Sequence, residues 1–328
     1  MAAAPTDYTV LCIDLGKTSC RAAVLNSHEI LATADLEGVP AEADSGAVAA
    51  ERVLATISLL PTDLANRAGA CGVGAAGTLT DPTAGRRIAD LLRDRLGRPV
   101  AVTSDIITAH LGAFRGGAGV TLVAGTGAVA VDLSCDGSIR RVDGWGPDIG
   151  DLGGGSWIGR EGMRAVLGAE CGLRPSTALT THLQELTAGV HPVQWVAESG
   201  NHAQQLARFA PIVLDQAESG DRVALGIVNE AIALLTATAS AAGAASDPGA
   251  AAPSAPVPSA AWPTGATGTA AVAILGGLTR HPWFNARLSR GLTASGLTVT
   301  TPAGDALRGA FLAAVSSDLP HERHIHRA

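Results

Sequence analysis

The sequence predicts an α/β protein of two lobes, and three observations predict it. At 328 residues the chain is long enough for about two domains at roughly 150 residues each. Short apolar runs of strand length alternate with longer stretches whose apolar residues recur at helical spacing. A strand, a glycine-containing turn and a second strand occur twice, within 8–25 and within 120–133, although the two segments share little sequence. The second unit is expected to begin near Arg115, which divides the chain into 1–114 and 115–328.

The elements follow in order. Residues 8–14, YTVLCID, form a short buried strand; 14–19 turn around Gly16, and 20–25 return as a second strand. A third strand covers 30–34. Val48, Val53, Leu54, Ile57 and Leu60 make one helical face over 45–60, ended by Pro61. Residues 71–77 are a strand running into a glycine turn, 83–96 an amphipathic helix, 99–105 a strand and 106–114 a helix. In the second unit, 120–133 is strand, turn and strand, and 153–167 passes from glycine loop to helix. Helices are expected at 176–188, 193–199, 201–219 and 221–242. Residues 243–269, rich in Ala, Pro, Gly and Ser, read as a flexible insertion. A strand at 271–277 meets a glycine turn, another ends at Val299, and 304–315 is a helix. The last eight residues, HERHIHRA, read as a tail; their three histidines have no partner ligands in view for a metal.

Composition narrows the function classes. Hydrophobic residues at 47% against 16% charged exclude a wholly disordered chain. A net charge of −7 argues against a general nucleic-acid binder. It leaves room for an anionic ligand, because backbone N–H groups bind phosphate whatever the global charge. Five scattered cysteines, an odd count without a Cys-x-x-Cys pair, point to a reducing compartment rather than a disulfide framework. No signal peptide is visible, and the apolar stretch 231–245 reads as too short and too interrupted to span a membrane. A cytoplasmic protein is expected. Lys17 is the only lysine, beside 22 arginines, and it falls in the first glycine turn.

Five motifs carry candidate chemistry. Asp14-Leu15-Gly16-Lys17-Thr18-Ser19 places a carboxylate at a strand end, then a tight turn and two hydroxyls. Asp14 suits Mg²⁺ held through water, and backbone N–H groups from Gly16 onward suit phosphate oxygens. It is not a Walker A loop, and taken alone it is also an ordinary hairpin turn. Gly125-Thr126-Gly127 allows close backbone approach to a ligand and adds a hydroxyl. Asp105 ends the strand 99–105, where α/β sheets collect ligands; it either accepts a substrate proton or caps the next helix. Residues 144–157 pack Asp148, Asp151, six glycines, Trp145 and Trp157 into one loop. Aromatic faces and carboxylates are a common pairing for sugars. Gly276-Gly277-Leu278 follows a late strand, a turn over which a flat base can lie.

In this order the motifs resemble the N-acetylglucosamine kinase branch of the BadF/BadG/BcrA/BcrD ATPase family. The resemblance runs from about Val10 to Ala314 except for 243–269, and GWGPDIGDLGGGSWIGREGMRAV is its most specific part. It implies a two-lobed actin/hexokinase-like (ribonuclease H-like) fold with an interdomain cleft, the first lobe completed by the C-terminal helix 304–316. It implies that Asp14, Gly16 and Thr18 fall on the first phosphate loop; Lys17 and Ser19 are read from the residues as further ATP contacts, and Asp14 as the metal ligand. Gly125, Thr126 and Gly127 form the second, and Gly276 and Gly277 the nucleotide-side turn. Asp105 matches the family's catalytic aspartate, and Asp151 a sugar-contacting one. Some positions depart from the family. The first loop reads DLGKTSCR where relatives tend to have DGGGTKTR, Leu152 stands where they usually carry Glu, and Asp148 adds an acid. There is no counterpart of the zinc site of related bacterial sugar kinases, nor clustered cysteines for an iron–sulfur centre.

The expected activity is therefore phosphorylation of the 6-hydroxyl of glucosamine by ATP with Mg²⁺. Asp105, Thr126, Gly127, Asp148 and Asp151 would face the sugar, and Asp148 would pair its ammonium. A kinase for N-acetylglucosamine or another hexose is the alternative, and a sensor without turnover the rival from another class. The expected partners are an amino sugar and ATP, with no nucleic acid and no membrane; the oligomeric state, a homodimer included, stays open.

Overall fold

The computed structural model describes residues 8–41, 43–243 and 270–328. The expected insertion at 243–269 lies outside the described residues from position 244 onward. The first sheet opens with an antiparallel meander of β1 (Val10–Leu15), β2 (Ser19–Leu25) and β3 (Ile30–Glu37). After α1 (Ala47–Ile57) and α2 (Thr62–Arg67), β4 (Ala70–Ala75) joins β1 in parallel. Then come α3 (Pro82–Leu96), β5 (Val100–Thr103), parallel to β4, and α4 (Asp105–Phe114).

The second sheet repeats the plan with β6 (Gly119–Ala124), β7 (Ala128–Leu133) and β8 (Ile139–Asp143) as the meander. Six helices follow: α5 (Gly155–Glu170), α6 (Leu179–Leu186), α7 (Pro192–Ala197), α8 (His202–Ala207), α9 (Ala210–Glu218) and α10 (Arg222–Gly243). β9 (Ala271–Leu275) pairs in parallel with β6; after α11 (Pro282–Ala294), β10 (Thr298–Thr300) pairs in parallel with β9. The chain ends with α12 (Ala306–Val315) and β11 (His326–Arg327). The strand orders are β11-β5-β4-β1-β2-β3 and β10-β9-β6-β7-β8, so both lobes share the arrangement 3-2-1-4-5 and the first carries one extra edge strand.

The central strand β1 is buried because it is apolar on both faces: Val10, Leu11, Cys12 and Ile13 are all 1% exposed or less. Such burial is worth roughly 1.5–3 kcal/mol for each large side chain. The second lobe's core gathers Phe209, Phe284 and Leu288 with the inner faces of α5, α9 and α10. A third cluster joins the lobes, with Ile107 and Leu111 of α4, Ala313 of α12, and Val131 and Leu133 of β7. α12 packs on β1, β4 and α4, in the first lobe. It meets α4 at backbone distance, since a Cβ on Gly309 would fall on the Thr108 carbonyl. The connection between lobes is held by His110, neutral because burial lowers its pKa to about 3. Its ring nitrogens lie 2.9 Å from Thr121 Oγ1 and 2.8 Å from the Gly117 carbonyl.

Several expectations need correction. The helix expected over 201–219 is broken into α8 and α9, because Pro211 in the first turn of α9 supplies no N–H to continue the preceding turn. α2, β8 and α11 were not read from the sequence; β8 hides behind Arg140 and Arg141, whose charges mask a strand pattern. The strand over 271–277 stops at Leu275, where Gly276 takes a φ of 106°. The described part of the apolar stretch, 231–243, belongs to a 22-residue helix, α10, long and apolar enough to cross a membrane by length and composition alone. Its Ala224, Val228, Ala231, Leu235 and Ala239 instead lie in the second lobe's core. The histidine-bearing end is not a loose tail. β11 pairs antiparallel with β5, His321 is fully buried, and the Thr103 hydroxyl donates to the His324 carbonyl at 2.8 Å.

Candidate active site

The first turn is built by strand register. Asp14 sits opposite Arg21 in the β1–β2 pair, and the Gly16 N–H donates to the Ser19 carbonyl at 2.8 Å, closing the turn. Lys17 and Ser19 are exposed and Thr18 is half-buried. Behind them stands Gly38, which the sequence reading missed: a Cβ there would strike Gly16, Thr18 and Ser19 backbone atoms. Only a glycine at the end of β3 leaves the turn its shape. Arg21 Nη2 lies 3.6 Å from Asp14 Oδ2 and 3.3 Å from Asp305 Oδ2, linking β1 to the N-cap of α12.

Asp14 is raised to a pKa of about 6, first by burial, then by the Asp105 carboxylate, with Arg21 opposing. Asp105 is the first residue of α4; the cap position belongs to Ser104. The capping alternative for Asp105 therefore does not hold. Instead the Ser104 hydroxyl and the Ile106 N–H donate to Asp105 Oδ1 at 3.0 and 2.9 Å. Burial pushes the Asp105 pKa up, while those two bonds, Lys17 and Arg141 pull it down. Lys17 comes from the first lobe and Arg141 from β8 of the second, so charges from both lobes act on one carboxylate.

The second turn is neutral and braced from behind. Gly125 N–H donates to the Gly127 carbonyl at 2.9 Å, and the start of α5 clamps the turn through Gly155 N–H to Gly125 O and Ser156 N–H to Thr126 O, both 2.8 Å. Asp151, at a φ of 55°, lays its carboxyl against Gly127. Its pKa is raised by burial and by Asp143, against bonds from the Ala128 and Gly146 N–H groups. Gly276 abuts this turn so closely that a Cβ would fall on the Ala124 carbonyl. Gly125–Gly127 and Gly276–Gly277 are thus neighbours, as their candidate roles require.

Asp143 is the other residue the sequence reading missed. It is 2% exposed, at a φ of 62°, and accepts from the N–H groups of Gly144, Asp151 and Leu152 at 2.7, 2.8 and 2.8 Å. An Asp before Gly at a strand end was the available signal. Asp148 stands apart, exposed, with no hydrogen bond or ion pair among the described residues. The tryptophans also separate: Trp157 packs against the second core, whereas Trp145 is 64% exposed, beside exposed Ile149.

The donor set fits a hard divalent cation. Burial raises the proton affinity of both Asp14 and Asp105, and the Asp105 carboxylate raises that of Asp14 further, so positive charge beside them would lower the energy of both. The fit rests on Asp14, which has Arg21 as its one cationic partner among the described residues.

Known proteins share this architecture. A candidate N-acetylglucosamine kinase of Chromobacterium violaceum superposes with a TM-score of 0.70 at 25% identity, over 94% of this chain and 99% of that one. A ROK family glucokinase of Streptomyces griseus, solved with glucose and AMPPNP, shares the fold at a TM-score of 0.60 and 16% identity, over 92% and 97% of the two chains. The fold is the two-lobed actin/hexokinase-like one. The N-acetyl-D-glucosamine kinase of Dictyostelium discoideum is 35% identical over 121 residues, 35% of this chain; the match spans 38% of that relative's length. Residues 11–245 match the BadF/BadG/BcrA/BcrD ATPase family from the first strand to past the end of α10, and the chain belongs to that family.

Proposed function

We propose that the protein is an ATP-dependent amino-sugar kinase that phosphorylates the 6-hydroxyl of glucosamine. The observation that carries this reading is the pair Asp14 and Asp105, electrostatically coupled beside two glycine turns. Phosphoryl transfer asks mainly for positioning and charge stabilisation, and these residues supply both. Asp105, its pKa raised by burial, accepts the proton of the sugar hydroxyl. The sugar oxygen forms its bond to the γ-phosphorus as the bond to the bridging oxygen of ADP breaks. Mg²⁺ held through water by Asp14 would offset charge on the phosphate oxygens. Gly16, Lys17, Thr18 and Ser19 cradle phosphates on one side, Gly125, Thr126 and Gly127 on the other, with Gly276 and Gly277 under the base. Asp151, anchored to backbone N–H groups, keeps lone pairs for a sugar hydroxyl. Asp148, free of internal partners among the described residues, pairs the ammonium of glucosamine.

A second reading, N-acetylglucosamine as the substrate, is favoured by the names of the Dictyostelium and Chromobacterium relatives. ADP release with glucosamine, N-acetylglucosamine and glucose separates the two. Glucosamine should lead by about 10²-fold in kcat/KM, as expected when a charged site meets an uncharged analogue, and Asp148→Asn should erode its lead over glucose. N-acetylglucosamine as the better substrate would remove the ammonium argument and leave the second reading. For the chemistry itself, Asp105→Asn should lower kcat by about 10²–10⁴-fold while sugar binding persists by calorimetry. Retention of a tenth of the wild-type kcat would remove Asp105 as the base.

A further inference from the structure

The structural end of the chain closes a small cavity that none of the roles above uses. Thr78, Ser104, Ile107, Arg323, His324 and His326 line it, together with Leu79 and Pro82, around a volume of about 70 Å³. That is room for more than one water molecule, each needing about 10–15 Å³ on the same measure. Its wall is made by the pairing of β11 with β5, which carries three cationic or ionisable side chains to the end of the first sheet.

The charge around this cavity is one-sided. None of the residues lining it is acidic. Arg86 of α3 acts on His326 from outside the lining. The nearest acids are already engaged. Asp81 accepts the Thr83 and Ala84 N–H groups, Glu322 pairs with Arg327, Asp105 faces the cavity only through the Ser104 hydroxyl, and Asp136 meets Arg323 from the β7–β8 turn. Burial holds both imidazoles below their ordinary pKa; Arg323 lowers His324 further against a bond to the Gly137 carbonyl, and Arg86 and His324 lower His326. The positive charge is that of Arg323 and Arg86, and an anion beside them would offset it and favour the protonated imidazole.

Donors are present as well as charge. Arg323 gives its Nε–H to His324 Nε2 at 3.0 Å and one Nη2–H to the Gly137 carbonyl at 2.5 Å. A guanidinium has five N–H donors, so three remain. The His326 ring has no hydrogen bond among the described residues; it lies over Gly85, where a Cβ would meet it. The Thr78 hydroxyl donates to the Ala75 carbonyl and that of Ser104 to Asp105, so cationic side chains rather than hydroxyls would hold a ligand.

We propose that this cavity is a binding site for a tetrahedral oxyanion, either inorganic phosphate or the phosphoryl end of a phosphomonoester, held by Arg323 and His326 with Arg86 adding charge. It is separate from the glycine turns, and it does not depend on which sugar the enzyme takes.

The test is calorimetry on the full chain without nucleotide, sugar or Mg²⁺, titrating inorganic phosphate in one arm and glucose 6-phosphate in the other. Arg323→Gln and His326→Gln should each weaken binding by about tenfold or more, as expected for losing a charge-assisted bond to phosphate. Arg164→Gln, an exposed position of α5 outside both sites, should leave it unchanged. Proton NMR should show the His324 and His326 titrations moving upward with phosphate present. Arg323→Gln also removes the bond to Gly137, so its thermal midpoint is measured; if it unfolds, His326→Gln carries the test alone. Phosphate binding without ester binding assigns the site to the free ion, and tighter ester binding to the phosphomonoester. Binding that survives His326→Gln, or no binding of either ligand, overturns the proposal.

Discussion

The two glycine turns occupy equivalent places in their sheets, between the first two strands of a 3-2-1-4-5 arrangement, yet they are made differently. The β1–β2 turn is charged: Asp14, Lys17 and Arg21 lie within it or beside it, and a single close neighbour, Gly38, shapes it. The β6–β7 turn has no charge of its own. Its carbonyls are taken by the start of α5, and its carboxylates, Asp151 and Asp143, stand behind it and bond backbone N–H groups. One turn brings charge and pays in stability. The other brings backbone geometry, and its carboxylates hold the fold together. Carboxylates in the two regions should therefore answer mutation with opposite signs.

The largest effect is expected at Asp143. Asp143→Ala removes the acceptor of three N–H groups and leaves alanine at a positive φ. It should cost about 2–4 kcal/mol, read as a fall in the thermal midpoint, and raise the KM for sugar as the 144–152 loop loosens. A midpoint unchanged from wild type would mean that the loop is held elsewhere.

Asp14 should behave in the opposite way. Its native pKa of about 6 exceeds the ordinary 3.8, so the folded protein holds the proton more tightly than the unfolded chain. Ionisation then opposes folding: the penalty is absent below about pH 4 and complete above about pH 6. Asp14→Asn, measured without ligands, should stabilise by about 1–3 kcal/mol at pH 7.5, should lose that gain at pH 4, and should lose activity at both. Equal stability of wild type and variant at pH 7.5 would erase the contrast between the turns.

The smallest effect sharpens the first region alone. Lys17 is exposed and acts on both Asp105 and Asp151. Lys17→Ala should raise the KM for ATP about three- to fivefold, the scale of an exposed ion pair, with little change in stability. As the only lysine, it can be followed by amine acylation, and MgATP should protect it. Equal labelling with and without nucleotide would detach it from phosphate.

Much of this was written locally in the chain. Asp14, the glycines of both turns, Gly276 and Asp105 stand at strand ends whose apolar runs are unmistakable, and local sequence reports a strand end directly. Gly38 was not legible, and Asp143 only as an Asp before Gly at a strand end, because their roles are set by segments 20 residues and 8 residues away that only the fold brings near. Arg141 was hidden for the same reason: it acts on Asp105 from the other lobe. The division of the 201–219 stretch at Pro211 was legible in principle, since proline removes a donor wherever it stands.

By itself the sequence determined the alternation of strands and helices, the doubled hairpin and the acidic and glycine-rich turns, because hydrophobic period and turn chemistry are properties of neighbours along the chain. Tertiary structure decided that Asp105 perturbs Asp14, that Lys17 and Arg141 converge from two lobes, and that HERHIHRA ends in an edge strand walling a small cavity. Those outcomes depend on burial and on distances of a few ångströms between residues far apart in sequence, and Coulomb and desolvation energies act through space, whatever the order of residues along the backbone.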